Sequence, residues 1–494
     1  MRNLFFYIQL VSIFCISNNV NAQISDSKDL CDYIRDQHKK GDIKNASVSI
    51  SLREINSGNE VVDYYSTQLM VPASVQKVIT TATALEILGD TFRYRTSIQL
   101  DGTIVNGKLK GNIWIKGSGD PTLGSEKFAQ TSAESFFNTV FEAIKKSGIN
   151  SIDGSIIADA SVFETGMAPM GWNWADLGNY YGAGASGLTY MDNTIKVFFR
   201  SGNHPGDATQ ITHLKPSLDN IQWINEVVSG QPNSGDNAYF FSSEYSDLRY
   251  VRGTIPPGEN NFEVKASMHD PPLYCAQAVH QFLSSKGMII TNNPTTLRHL
   301  MIEDKSYNVK QRVTIETIQS PLLSEIIKEI NLNSNNLFAE HLFKTISMVK
   351  NGIGSIDESK KLMKKHWENK GINIEDCQWM DGSGLSRNNI VSANILTSIL
   401  YQIRKSKSAD TFYASLPVAG RTGTLKGLWN GSFLENNLRA KSGSVNLVRC
   451  YAGYFKAHSG KEFSFAIMVN NSNSSSAKLK DFIQKTMLHI AQHQ

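Results

Sequence analysis

The sequence predicts an α/β (α+β) protein. Both ends of the chain build one unit, a sheet with helices, and the middle supplies inserted, mainly β domains. Three observations predict this. A strand hairpin and an apolar helix stand near the N-terminus. Two apolar strands and an amphipathic helix close the C-terminus. Between them, from about 96 to 265, short strands and glycine turns give the chain a different texture. At 494 residues the chain also exceeds what one core usually holds.

Residues 1–22 read as a secretory signal peptide. Arg2 is followed by a mostly apolar run from Leu4 to Ile16, and Val20-Asn21-Ala22 forms a small-x-small cleavage site. The run is too short for a bilayer core of about 30 Å. Phe14, directly before Cys15, is too bulky for lipid attachment there. An exported protein results, soluble after cleavage near Ala22, with at most peripheral membrane contact. "ASVSISLREINSGNEVVDYY" (46–65) reads as a hairpin around Asn56-Ser57-Gly58-Asn59. "VPASVQKVITTATALEILG" follows as a helix with small residues on one face. The insertion opens at about Thr96. It holds the strands of "IQLDGTIVNGKLKGNIWIKGSGDPTLG", the helix "AESFFNTVFEAIKKSG" and the strand "GSIIADAS". From Met167 to about Gly258 it is rich in Trp, Tyr, Gly, Asn and Pro, with no long helical period. Helical pattern returns near Pro272. The expected division is therefore 23–95 with 266–494 as one unit, and 96–265 as inserted accessory domains, two of them nested. The final helix follows a strand and mixes its charges, so it is expected to pack on the sheet rather than lie on a membrane.

The net charge of +4 is too small and scattered for a nucleic-acid binder. After signal removal Cys31, Cys275, Cys377 and Cys450 remain, with no C-x-x-C pair for zinc or redox chemistry. Both disulfides and buried thiols are compatible with them. His489 and His493 are four apart, but Ile490 stands where a zinc peptidase needs glutamate, so no metal is expected. The near-miss nucleophile elbows "GAGASGL" and "DGSGLS" lack a flanking strand and helix. Trp172, Trp174, Tyr180 and Tyr181 offer rings for stacking on sugars, but the favoured reading of the cluster is domain core.

The chemistry-bearing pair is Ser74 and Lys77. A helix stacks residues i and i+3 on one face, so hydroxyl and amine meet. Ser-x-x-Lys alone is unspecific; it recurs at Ser25/Lys28, Ser347/Lys350 and Ser475/Lys478. Only Ser74 opens an apolar helix, where backbone amides and the positive dipole end are at hand. A free lysine, with its pKa near 10.4, is almost wholly protonated at pH 7. As a base it needs burial or a neighbouring cation, a proton relay and backbone donors for an oxyanion. Later segments offer these parts. Ser334-Asn335-Asn336 stands just ahead of a helix, and Lys441-Ser442-Gly443-Ser444 leads into an apolar strand. Arg421-Thr422-Gly423-Thr424 mimics the second segment but lies in a glycine-rich loop.

In these motifs and their order the chain resembles the D-alanyl-D-alanine carboxypeptidase/endopeptidases of peptidase family S13, the class C low-molecular-mass penicillin-binding proteins. The resemblance spans nearly all of the mature chain. It includes "PASVQKVITTATAL", "GNIWIKGSGDPTL", "GSIIADASVF", "GWNW", "SNNLFAEHLF", "DGSGLSRNN", "LPVAGRTGTL" and "AKSGS". One departure is Ser442, where the family's motif has threonine; the hydroxyl is kept. The resemblance implies a β-lactamase/transpeptidase-like serine acyltransferase domain, and Ser74 as a nucleophile with Lys77 as its base. It implies that Ser334 relays the proton, Lys441 keeps Lys77 neutral and Asn336 holds the substrate amide. Ser442, Gly443 and Ser444 would form the oxyanion and carboxylate site. The implied substrate is a peptidoglycan stem peptide ending in D-Ala-D-Ala, met in the periplasm. β-Lactam antibiotics would be inhibitors, and no cofactor is needed. The competing readings are a β-lactamase, which the large insertion disfavours, and a non-catalytic cell-wall scaffold.

Overall fold

The structure is a computed structural model that describes residues 28–218 and 221–494, so the expected signal peptide lies outside the described residues. The two chain ends meet in one antiparallel sheet. The N-terminal hairpin supplies β1 (Ser47–Glu54) and β2 (Glu60–Tyr64); the C-terminal segment supplies β3 (Arg439–Val445), β4 (Val448–Lys456) and β5 (Glu462–Asn470). Their order is β3-β4-β5-β1-β2. β5 and β1 join the ends in unbroken register, from Ser47 opposite Asn470 to Glu54 opposite Phe463.

Alternation along these strands builds two cores, because successive side chains point to opposite faces. Cys450, Ala452 and Tyr454 of β4 face a helical layer, while Tyr451 and Phe455 face the other side. The helical layer holds α1 (Gln76–Leu88), α2 (Leu323–Asn333), α3 (Asn336–Asn351), α4 (Ile356–Glu368) and α5 (Ala393–Arg404). α1 lies at its centre: every residue from Gln76 to Leu85 is buried. Such a helix is apolar or small all round rather than on one face. Gly89 ends it at φ +83°, its N–H reaching Leu85 O. The far face is covered by the helix over residues 28–38 and by α6 (Ser476–His493), whose Leu479, Ile483, Met487 and Ile490 pack there. The terminal helix is thus a sheet cover. No helix among the described residues is long and apolar enough to cross a membrane.

The inserted portion extends past the expected limit of 265. Val313–Gln319 pairs antiparallel with Arg95–Leu100, so the strands that leave and re-enter the sheet-and-helix unit lie side by side. They belong to a five-stranded sheet with Ile113–Lys116, Ile156–Asp159 and Thr295–Thr296. The helix Pro271–Ser285 buries Cys275, Val279 and Leu283 in the same core as Ile98, Ile113 and Ile156. Helical texture at Pro272 was therefore a poor marker of the return, since a helix covers an inserted sheet as readily as a central one. Two further three-stranded sheets occupy 194–267.

Buried polar groups tie the insertion to α3. His341 Nδ1 donates to Gly119 O at 2.8 Å, which leaves Nε2 to accept from Thr189 Oγ1 at 2.6 Å. Burial pushes its pKa down to about 3, so the ring stays neutral. Lys344 Nζ donates to Gly166 O at 2.6 Å and to Ala185 O at 3.3 Å. All four described cysteines are free thiols, three of them buried. In the helical layer Trp367 is fully buried, with Nε1 donating to Thr83 Oγ1 at 2.8 Å. Trp367→Ala is expected to cost about 3–5 kcal/mol, read as a lowered urea midpoint.

Candidate active site

Ser74 sits in a single 3₁₀ turn, Ala73–Val75, that feeds α1. Ala73 has φ +48°, a left-handed conformation that L-residues adopt at a cost. Two glycines from distant loops clamp the turn. A Cβ on Gly443 of β3 would lie 2.6 Å from Pro72 O and 3.0 Å from Ser74 N. A Cβ on Gly384, itself at φ +81°, would lie 1.9 Å from Ala73 O. The hydroxyl of Ser74 is thereby presented at the bottom of a cleft while its backbone is packed.

Lys77 is one turn on and fully buried. Its Nζ stands 3.1 Å from Ser74 Oγ, 2.7 Å from Asn336 Oδ1 and 2.7 Å from Ser383 O. In the ammonium form all three N–H groups are used; in the amine form a lone pair is free for the serine proton. Burial lowers its pKa to about 7, against the opposing pull of the Asp381 and Glu340 carboxylates.

The second element is the link between α2 and α3. Ser334 ends α2 in the left-handed conformation, φ 58° and ψ 36°. Asn335 caps α3, its side chain accepting from Phe338 N at 3.1 Å. Asn336 opens α3 and donates through Nδ2 to Tyr181 O at 2.8 Å. The third element is the edge strand β3. Lys441 Nζ, fully buried, donates to Ser334 Oγ at 2.9 Å and to Ser442 O at 2.7 Å. Burial and the charge of Lys77 push its pKa well below the ordinary lysine value. Ser444 stands exposed on the cleft wall with Ser74, Ser334 and Asn336. Of the eight residues singled out in the sequence, Ser74, Ser334, Asn336 and Ser444 line one cleft, Lys77 and Lys441 bond to its serines, Gly443 packs on the Ser74 turn, and the Ser442 hydroxyl is turned to Thr424.

Arg421 does not reach Ser334; it pairs with Glu435 at 3.0 Å. Its neighbour Thr424 does join the site, as Ser442 Oγ donates to Thr424 Oγ1 at 2.7 Å. Sequence reasoning missed that contact and three others. Ser383 supplies a carbonyl to Lys77. Glu340 holds that loop by accepting from Ser383 N at 2.7 Å and Gly382 N at 3.1 Å. Asp381 accepts from Gly384 N, Asn389 Nδ2 and Trp172 Nε1 at 2.7, 2.8 and 2.8 Å. The tight turn Asp381-Gly382-Ser383-Gly384 was a signal for backbone use. The expectation that the Trp and Tyr cluster is core needs correction. Trp172 is buried, but Trp174 and Tyr180 are 57% and 54% exposed, and Tyr181 lines the cleft. These last three lie in the short helix Trp174–Leu177 and the 3₁₀ turn Tyr180–Gly182, in a segment that reaches the cleft at Tyr181.

A fixed serine, a buried amine of lowered pKa and a second buried amine behind a second serine form a device for moving protons at a nucleophile. The D-Ala-D-Ala carboxypeptidase 3 (S13) family matches residues 30–493. The chain belongs to that family. It is thus a serine-type peptidase. Its relatives include the D-alanyl-D-alanine carboxypeptidase DacB of Haemophilus influenzae, 25% identical over 431 residues, 86% of this chain and 85% of that protein. A D-alanyl-D-alanine carboxypeptidase of Actinomadura sp. is also 25% identical, over 89% of this chain and 80% of its own length. Penicillin binding protein 4 (dacB) from Haemophilus influenzae superposes with a TM-score of 0.80 at 23% identity, covering 93% of this chain and 99% of that one. That likeness bears out the β-lactamase/transpeptidase-like α+β fold. Gly443→Ala is expected to push β3 off the Ser74 turn and slow peptidase turnover at least tenfold, by a mechanism of overpacking that costs about 1–3 kcal/mol of stability; a steady-state assay beside urea unfolding checks both.

Proposed function

We propose that the protein is an exported serine D-Ala-D-Ala carboxypeptidase that works through an acyl-enzyme on Ser74. Lys77, as the free amine, takes the Ser74 Oγ proton, and Oγ attacks the carbonyl carbon of the penultimate D-alanine. The oxyanion is held by the backbone N–H groups of Ser74 and Ser444. Ser334 passes a proton to the leaving nitrogen and is resupplied through Lys441. The peptide C–N bond breaks, an ester to Ser74 forms, and D-alanine departs as the amine. Asn336 orients both Lys77 and the substrate amide. Ser442 and Ser444, with Lys441 behind them, bind the terminal carboxylate. Water then hydrolyses the ester: its proton passes through Ser334 to Lys441, its oxygen bonds the acyl carbon, and Lys77 returns its proton to the departing Ser74 Oγ. The same acyl-enzyme serves endopeptidase cleavage when the departing amine belongs to a second stem peptide. A β-lactam follows the first step and stalls at the second. Peptidoglycan lies outside the cytoplasmic membrane, which agrees with the signal peptide read at 1–22 and with a periplasmic enzyme.

The observation that carries this reading is the convergence of two buried lysines on two serines: Lys77 on Ser74 at 3.1 Å and Lys441 on Ser334 at 2.9 Å. Intact mass measured with and without benzylpenicillin tests it. The expected result is one penicilloyl adduct on the mature protein and none on Ser74→Ala. An unmodified wild-type protein after long incubation overturns it.

The reading also sets a pH dependence. The reactive form of Lys77 is neutral, and burial brings its pKa down to about 7. Below that value the neutral fraction falls about tenfold per pH unit. The second-order rate of penicillin acylation is therefore expected to rise with pH up to about 7 and level off above it. A rate still climbing at pH 9 would mean that Lys77 is not the base.

A further inference from the structure

A second cleft, of about 480 Å³, opens directly beside the Ser74 cleft. The two share Tyr181, Ser334 and Asn336 as walls. Its far wall is one of the inserted three-stranded sheets. Strand pairing there sets Lys215 opposite Lys196 and Lys196 opposite Lys265, so three lysines stand in one row across three strands. All three line the cleft, with Lys127 beside them. Residues directly opposite in a sheet bring their Cβ atoms to about 5 Å, and like charges so placed repel.

Local carboxylates answer only part of this charge. Lys127 is paired with Asp192, and Lys196 meets Glu126 at 3.3 Å. Lys265 has only a 3.7 Å contact with Glu263 of its own strand. Lys215 has no ion pair among the described residues. On the opposite wall, Glu329 accepts from the neutral amides of Asn333 and Asn335 and keeps its negative charge. Four lysines against Glu126, Asp192 and Glu329 leave the lining net positive, and Lys215 and Lys265 are the two that no lining carboxylate pairs. Tyr180, 54% exposed, adds an apolar face to the same cleft. Lys215 and Lys265 stand exposed where the row meets the cleft, and an anion entering the cleft relieves the repulsion between neighbouring strands.

We propose that this lysine row is a binding subsite for the carboxylates of a second peptide strand in cross-linked peptidoglycan. The assignment rests on the acyl-enzyme reading above. There Ser334 hands a proton to the departing nitrogen, so whatever is attached to that nitrogen lies on the Ser334 side of the site. The lysine cleft opens on that side. A single D-alanine is far too small to fill it, whereas a peptide with free carboxylates spans it. The subsite thus favours substrates whose leaving group is a peptide over those whose leaving group is one amino acid.

The test uses the mature protein and the double variant Lys215→Glu/Lys265→Glu, with Lys215→Gln/Lys265→Gln as the milder form if the first fails to fold. Three reactions are compared: hydrolysis of a cross-linked muropeptide dimer, hydrolysis of an uncross-linked pentapeptide monomer, and acylation by benzylpenicillin. The expected result is at least a tenfold loss of kcat/KM on the dimer, mostly in KM, with the monomer and penicillin reactions within twofold of wild type. Added salt should weaken dimer cleavage more in the wild type than in the variant. Equal losses on dimer and monomer, or no loss on either, overturn the assignment. So does a wild-type enzyme that is acylated by penicillin yet leaves the dimer intact, or a lysine row that retains a phosphate polymer with no effect on dimer cleavage. Absence of the penicillin adduct on wild type instead removes the acyl-enzyme reading, and this assignment with it.

Discussion

The amine of Lys77 has no contact with solvent. An ammonium group taken out of water loses hydration worth several kcal/mol unless the protein replaces it. Three oxygens do so here, from three separate parts of the chain: the Ser74 hydroxyl, the Asn336 amide and the Ser383 carbonyl. Each must be held in place for the lysine to remain where it is. That requirement explains the two glycines against the Ser74 turn, the left-handed Ser334 and the paired carboxylates under the Ser383 loop. Burial pulls the lysine toward the neutral form while Glu340 and Asp381 pull it back. Glu340 is itself pushed upward by burial and by Asp381, so the two carboxylates do not act as two full charges. The balance leaves an amine that can both accept and return a proton near neutrality.

α3 connects this balance to the inserted portion. Its first turn carries Asn336, its second Glu340, and the next residues, His341 and Lys344, donate to carbonyls of the insertion. One face of the helix sets the geometry at Lys77 while another is bolted to the loops at Gly119, Gly166 and Ala185. The loop that carries Trp172 and Tyr181 also bridges the two parts, through Asp381 and Asn336. The insertion is therefore a wall of the site as well as an accessory body. Its lysine row and aromatic loop extend the cleft beyond the serine.

Much of this was legible in the sequence. Ser74 and Lys77 are three apart where the 3₁₀ turn runs into α1, a spacing that sets hydroxyl and amine on one side of the chain. Ser334 to Asn336 before a helix, and Lys441 to Ser444 on a strand, were readable from local pattern. So were the hairpin, the apolar strands and the amphipathic final helix. The return from the insertion was not. A helix at Pro272 looks the same whether it covers one sheet or another, and only the pairing of Val313–Gln319 with Arg95–Leu100 decides. Nor was the exposure of Trp174 and Tyr180, because an aromatic residue in a loop carries no mark of which side faces water.

By itself the sequence determined which residues could do chemistry and which local element each would occupy, because helix and strand periods are short-range properties. Tertiary structure decided which of them meet. Ser383 lends a carbonyl to Lys77 across 306 positions, Lys441 reaches Ser334 across 107, and Thr424 receives Ser442 although its own motif was a decoy. Burial, and with it the lowered pKa of Lys77, belongs to the same category. It arises when separate segments exclude water from one amine, and no spacing along the chain encodes that.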